Sequence, residues 1–143
     1  MKGVFVSAVM LLTVGLAGCT TAGGTATYAS AWAGAVRNGD TGAVVELFAP
    51  DATLTDPITG TIRGSDAIRS AYRRLFDSGT VEVQSPISED DRAAIQWTWR
   101  GVDPATGRAF AVDGVSVLTI SPAGITHEAA FYDPAATPYS LRG

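Results

Sequence analysis

The hydropathy pattern changes period once, near residue 80, and that change limits what the chain can fold into. Before it, apolar residues recur at helical spacing: Tyr28, Trp32 and Val36 fall at i, i+4 and i+8. Further on, Ala67, Ile68, Ala71, Tyr72, Leu75 and Phe76 share one face of a segment whose other face carries Asp66, Arg69, Arg73 and Arg74. After residue 80 the period is two, in four runs at 80–85, 91–100, 108–121 and 125–132, separated by turn-forming stretches. Helices followed by hairpin-connected strands predict an α+β domain.

Local signals place the boundaries. Asn38-Gly39 ends the first helix, and Asp40 is an N-cap for a second, carrying Val44, Val45, Leu47 and Phe48 and stopped by Pro50. Residues 52–56, Ala-Thr-Leu-Thr-Asp, alternate like a short strand, 57–64 are turn-rich, and Gly64 or Ser65 opens the third helix. In the run 108–121, Phe110, Val112, Gly114, Ser116 and Leu118 oppose Ala111, Asp113, Val115 and Val117, so both faces are mostly apolar. Such a sheet calls for cover on both sides, by helices on one and by a second subunit on the other.

The 143 residues have room for one domain once a leader is subtracted. The formal net charge is −4, and Lys2 is the only lysine among dispersed arginines, so no basic stripe speaks for nucleic acid. Lys2 followed by an apolar stretch too short to span a bilayer reads as an export signal over residues 1–18. It ends in Leu16-Ala17-Gly18-Cys19, which resembles the bacterial lipobox. That resemblance implies cleavage before Cys19, lipid on its thiol, and an exported protein held to the cell membrane by acyl chains. Residues 20–27 are small and polar and read as a flexible tether, with the domain at 28–135 and a tail at 136–143.

Two acids stand out. Asp56, before Pro57, has a turn reading, since Asp-Pro commonly starts turns. Asp113 lies on a strand between Ala111 and Val115; an acid buried in such company tends to keep its proton and can then donate a hydrogen bond. The plainer alternative is that it caps a neighbouring strand or pairs with Arg100. Two acids in different surroundings suit one base and one proton donor in one pocket. His127, the only histidine, has no second histidine or cysteine partner for a metal set and reads as solvated or structural. The glycine-rich turns lack phosphate-loop spacing.

The order of these segments, with "PDATLTDP" at 50–57, "TIRGSDAIRSAY" at 61–72, "AVDGVSVLTI" at 111–120 and "GITHEAAFYDP" at 124–134, resembles the nuclear transport factor 2-like superfamily. Within it the chain is similar to ketosteroid isomerases and SnoaL-like proteins. The resemblance implies a cone-shaped roll of three N-terminal helices on a strongly curved, largely antiparallel or mixed sheet, a homodimer, a small hydrophobic ligand of steroid or polyketide type, and no cofactor or metal. It places Asp56 on the isomerase's general base and Asp113 on the neutral acid that hydrogen-bonds the dienolate oxygen, a role split long described for that enzyme. Trp32 falls where the family carries an oxyanion tyrosine, Phe48 where it carries a supporting one, and Tyr72 on a second support. Tyr28, Trp97, Trp99 and Phe131 complete the expected pocket. Two other functions fit the resemblance: a lipid-anchored binding module for a hydrophobic ligand or envelope partner, and a SnoaL-like cyclase using the same base.

Overall fold

The computed structural model describes residues 21–142. The leader and Cys19 lie outside them. Helix α1 (Thr21–Arg37) and the short α2 (Thr41–Glu46) precede strand β1 (Phe48–Asp56); β2 (Gly60–Arg63) pairs back on β1, and α3 (Ser65–Ser78) follows. The remaining strands are β3 (Gly79–Val83), β4 (Ile87–Glu89), β5 (Arg92–Val102), β6 (Ala109–Ser121) and β7 (Gly124–Tyr132), with 3-10 turns at Pro134–Ala136 and Tyr139–Leu141. The arrangement is α+β with a mixed, curved sheet, but among the described residues only two helices stand N-terminal to it; the third follows the β1–β2 hairpin.

The helix boundaries follow the expected chemistry with three differences. Asp40 caps α2 by accepting from the Ala43 amide at 2.9 Å, and Gly39, at φ 66°, turns the chain out of α1. First, residues 21–27, most of the stretch read as a tether, are helical. Thr25 is buried and its hydroxyl donates to the Asp90 carbonyl at 2.7 Å, a tertiary contact that composition does not announce. Second, α2 stops at Glu46 and Phe48 opens a strand, because β7 captures the chain there: the Ile125 amide donates to the Leu47 carbonyl at 2.8 Å. Pro50 then falls inside β1, where the β1–β7 register breaks between Phe48 and Thr53, as a residue without an N–H requires. Third, 60–63 form a strand rather than an open turn.

The sheet runs β2-β1-β7-β6-β5-β3, with β4 also on β5; β1 and β7 are parallel and every other pair is antiparallel. Helices α1 and α3 cover one face. There Val36 of α1 and Ile68 of α3 pack with Ile95 of β5, Leu118 of β6 and Ile125 of β7, all but fully buried. Strand alternation therefore sorts β6 into an inward set, Val112, Ser116, Leu118 and Ile120, and an outward set that includes Asp113. The residues read as a tail fold back as well: Ser140 donates to the Asp103 carboxylate, and the Arg142 guanidinium donates to the carbonyls of Thr137 and Ala135 at 2.9 and 3.0 Å.

Candidate active site

Between the helices and the inner sheet face lies a cavity of about 480 Å³, a size that suits one small organic molecule. Trp32, Tyr72, Trp97, Trp99 and Tyr132 supply aromatic wall, Asp56 and Glu128 the carboxyls of its sheet side and Asp77 one at its exposed side, and Thr137, Ser140 and Leu141 of the C-terminal turns complete it.

Asp56 ends β1 on the inward face. Its Oδ1 accepts from the amides of Ile58 and Thr59 at 2.8 and 3.0 Å and from the Tyr132 phenol at 3.0 Å, while Oδ2 accepts from the Thr59 hydroxyl. Partial burial pushes this carboxyl up, but the hydrogen bonds, that of the Thr59 hydroxyl foremost, outweigh it and hold the group below the ordinary carboxylate value. Turn residue and cavity residue are thus one and the same. Tyr132 carries the matching shift upward, from its burial and then from the adjacent charge of Asp56.

Asp113 does not join it. The side chain is exposed on the outer sheet face, where it accepts from the Thr98 hydroxyl at 2.6 Å. The cause is register: Asp113 pairs with Thr98, whereas its neighbour Gly114 pairs with Trp97 on the cavity side. The apolar flank that made Asp113 look buried belongs to the outward face. Phe131 is likewise outside, 60% exposed, and Tyr28 packs against the core without reaching the cavity. His127 also faces outward and shares a 2.7 Å hydrogen bond with the Thr53 hydroxyl. Among the described residues, no group of three or more His, Cys, Asp or Glu side chains is placed to hold a metal ion.

The inner face holds an acid the sequence reading passed over. Glu128, 3% exposed, sits in the middle of β7 opposite Leu118 of β6 and Leu54 of β1. Its Oε2 accepts from the Tyr72 phenol at 2.6 Å and its Oε1 from the Ser116 hydroxyl at 2.8 Å. The Tyr72 oxygen in turn accepts from Trp32 Nε1 at 2.9 Å, and the Ser116 oxygen from Trp97 Nε1 at 3.0 Å. Burial pushes the Glu128 carboxyl up to about 7 against the pull of these donors, with the charge of Asp56 adding to the rise. Tyr72, fully enclosed and beside Glu128, is raised well above the usual phenol value. Trp97 also meets Tyr132 edge-on, ring centres 5.7 Å apart, which ties the two carboxyl sites together. Of the residues expected at the site, Asp56, Trp32, Tyr72, Trp97 and Trp99 line the cavity, and Glu128, Ser116 and Tyr132 are the additions. The alternation of β7 could have pointed to Glu128, but Ala129-Ala130 and Phe131-Tyr132 put matching residues on both faces and hide which is inward.

A helix-covered curved mixed sheet enclosing a largely apolar cavity with two carboxyls on its sheet side defines a class of small α+β pocket domains. The chain belongs to the SnoaL-like domain family, whose model matches residues 29–137, and so to the nuclear transport factor 2-like, ketosteroid isomerase-like superfamily. It is 32% identical over 103 residues to the Steroid Delta-isomerase of Nocardioides simplex, covering 70% of this chain and 82% of that protein. The fold is shared with an NTF2-like protein of Burkholderia thailandensis E264 at a TM-score of 0.69 and 22% identity, over 78% of this chain and 92% of that one. It is also shared with an epoxide hydrolase/cyclase-like enzyme of pyran ring formation in the polyether salinomycin, at a TM-score of 0.66 and 22% identity, over 77% and 91% of the two chains.

Proposed function

We propose that this domain catalyses allylic isomerisation of an apolar ketone of steroid type by intramolecular proton transfer. The observation that carries the reading is Asp56, a carboxyl kept ionised by hydrogen bonds while facing a largely apolar cavity of substrate size. Similarity to a steroid isomerase across most of both chains supports it. In the step, Asp56 takes a proton from the carbon between carbonyl and alkene, the electron pair moves onto the carbonyl oxygen, and Asp56 returns the proton to the far alkene carbon. The carbonyl reforms, the double bond has moved into conjugation, and no co-reactant is needed. The same base in the same cavity would serve a cyclase.

As part of this proposal the domain acts at the cell membrane through lipid on Cys19, and two copies pair across the outer sheet face, where Phe131 stands exposed. The test is to mix the full chain with a Δ5-3-ketosteroid and follow the absorbance of the conjugated enone. Asp56→Asn should lower kcat by about a hundred- to ten-thousandfold, the usual range for loss of a positioned base. A second reading, a binding module, is favoured by the fact that the Trp32, Tyr72, Ser116 and Trp97 donors are all engaged within the protein. Steroid binding without turnover would select it.

A further inference from the structure

Resting on the ketone reading above, we infer that Glu128, in its protonated form, is a hydrogen-bond donor that this cavity offers to a ligand's carbonyl oxygen, and that the paired Trp32–Tyr72 and Trp97–Ser116 relays position it for that role.

The direction of the relays comes from indole chemistry. An indole N–H donates and cannot accept, so Trp32 must give its proton to the Tyr72 oxygen and Trp97 must give its proton to the Ser116 oxygen. Each hydroxyl, having accepted, sends its own proton onward, and both arrive at Glu128, one on each carboxyl oxygen. Four donors that line the cavity are thereby turned inward on the protein. None of them is free to meet a ketone. With the Tyr72 and Ser116 protons directed at its two oxygens, a proton on Glu128 is left to turn toward the cavity that Glu128 lines.

The same geometry explains why a carboxyl stands there. Desolvation favours the neutral acid, two donated hydrogen bonds favour the anion, and the contest leaves the group titrating near neutrality. A bound apolar ketone expels water and accepts the acid proton, both of which tip the balance to the neutral form. The role that the family resemblance implies for Asp113 on β6 thus falls to Glu128, on the inner face of the adjacent strand β7.

The groups around Glu128 leave its titration legible. Asp56 from β1 is held low, and Tyr72 from α3 and Tyr132 from β7 are held high. Ser116 from β6 and Trp32 from α1 do not titrate. Arg74 and Asp77 of α3 reach the cavity from its exposed side, and His127, next in the chain, faces outward.

The test is binding of a 4-ene-3-ketosteroid, already conjugated and therefore not consumed, to the full chain from pH 5 to 9. Affinity should be constant below about pH 6 and fall roughly tenfold per pH unit above about 7, as release of a proton needed for binding requires. Glu128→Gln, whose amide still donates to the ligand once one relay hydroxyl turns to accept from it, should retain binding with a flat profile. Glu128→Leu should bind at least about tenfold more weakly, also flat, and His127→Gln should keep the wild-type profile. Wild-type affinity that is flat or rises with pH, undiminished binding by Glu128→Leu, or no binding at all overturns the inference. The expected profile without isomerase turnover would defeat the catalytic reading and leave this one standing.

Discussion

The two faces of β6 and β7 are built from alternate residues of the same two strands, yet they treat acids in opposite ways. On the outer face Asp113 keeps its water and a single hydroxyl partner, Thr98, while apolar neighbours such as Phe131 stand exposed beside it. On the inner face Glu128, with nearly all its surface removed from solvent, needs two hydroxyl donors backed by two indoles to remain near its titration point at neutral pH. Apolar flanking residues are common to both settings. What separates them is which face the helices cover, and it follows that an acid's neighbours along a strand say little about its burial when both faces are apolar.

Substitutions sharpen that contrast, beginning with the largest effect. Leu118→Ala, on the inner face and fully buried, should cost about 2–5 kcal/mol in urea unfolding; a loss below about 1 kcal/mol would mean that the helices do not cover this face. Glu128 should make stability depend on pH. Its folded value, about 7, lies above the unfolded 4.5, so the folded state holds a proton that the unfolded chain releases first, and stability falls as pH rises from about 4.5 to 7. The change is on the order of 3 kcal/mol, and thermal unfolding across that window should show it in the wild type and lose it in Glu128→Gln.

Gly114→Ala probes how tightly the inner face is packed. A methyl there would stand 2.3 Å from the Trp97 ring, so the indole must shift and strain its bond to Ser116, at about 1–3 kcal/mol; chemical denaturation with tryptophan fluorescence would report both. At the small end, Asp113→Asn on the outer face should change stability by less than about 0.5 kcal/mol and leave ketone binding intact, the behaviour of an ordinary surface position. A large loss of binding in that variant would return Asp113 to the site.

Much of this molecule could be read in advance because the signals are local. The capping by Asp40, the exit of α1 at Gly39, the amphipathic α3 and the alternation of β5 and β6 each depend on residues within a few positions of one another. Asp56 is readable for the same reason: a carboxylate at a strand end before proline caps its own turn through the amides two and three residues on. The features that escaped are non-local. Within the helical stretch 21–27, Thr25 is fixed by a contact 65 positions away, and the capture of Phe48 into β1 depends on β7.

The amino-acid sequence by itself determined the α+β class, the helix and strand segments, and the cavity-facing aromatic and acidic candidates on α1, β1, α3 and β5, because each is encoded in spacing that the chain repeats locally. Only the tertiary structure decided which acid accompanies Asp56. Strand alternation yields two sets of residues but does not say which set is inside; that is settled when β5, β6 and β7 take their register and the helices close over one face. Register puts Gly114 opposite Trp97 and so turns Asp113 to water, and it puts Glu128 between Leu54 and Leu118, where Tyr72 and Ser116, 56 and 12 positions distant in the chain, converge on one carboxyl.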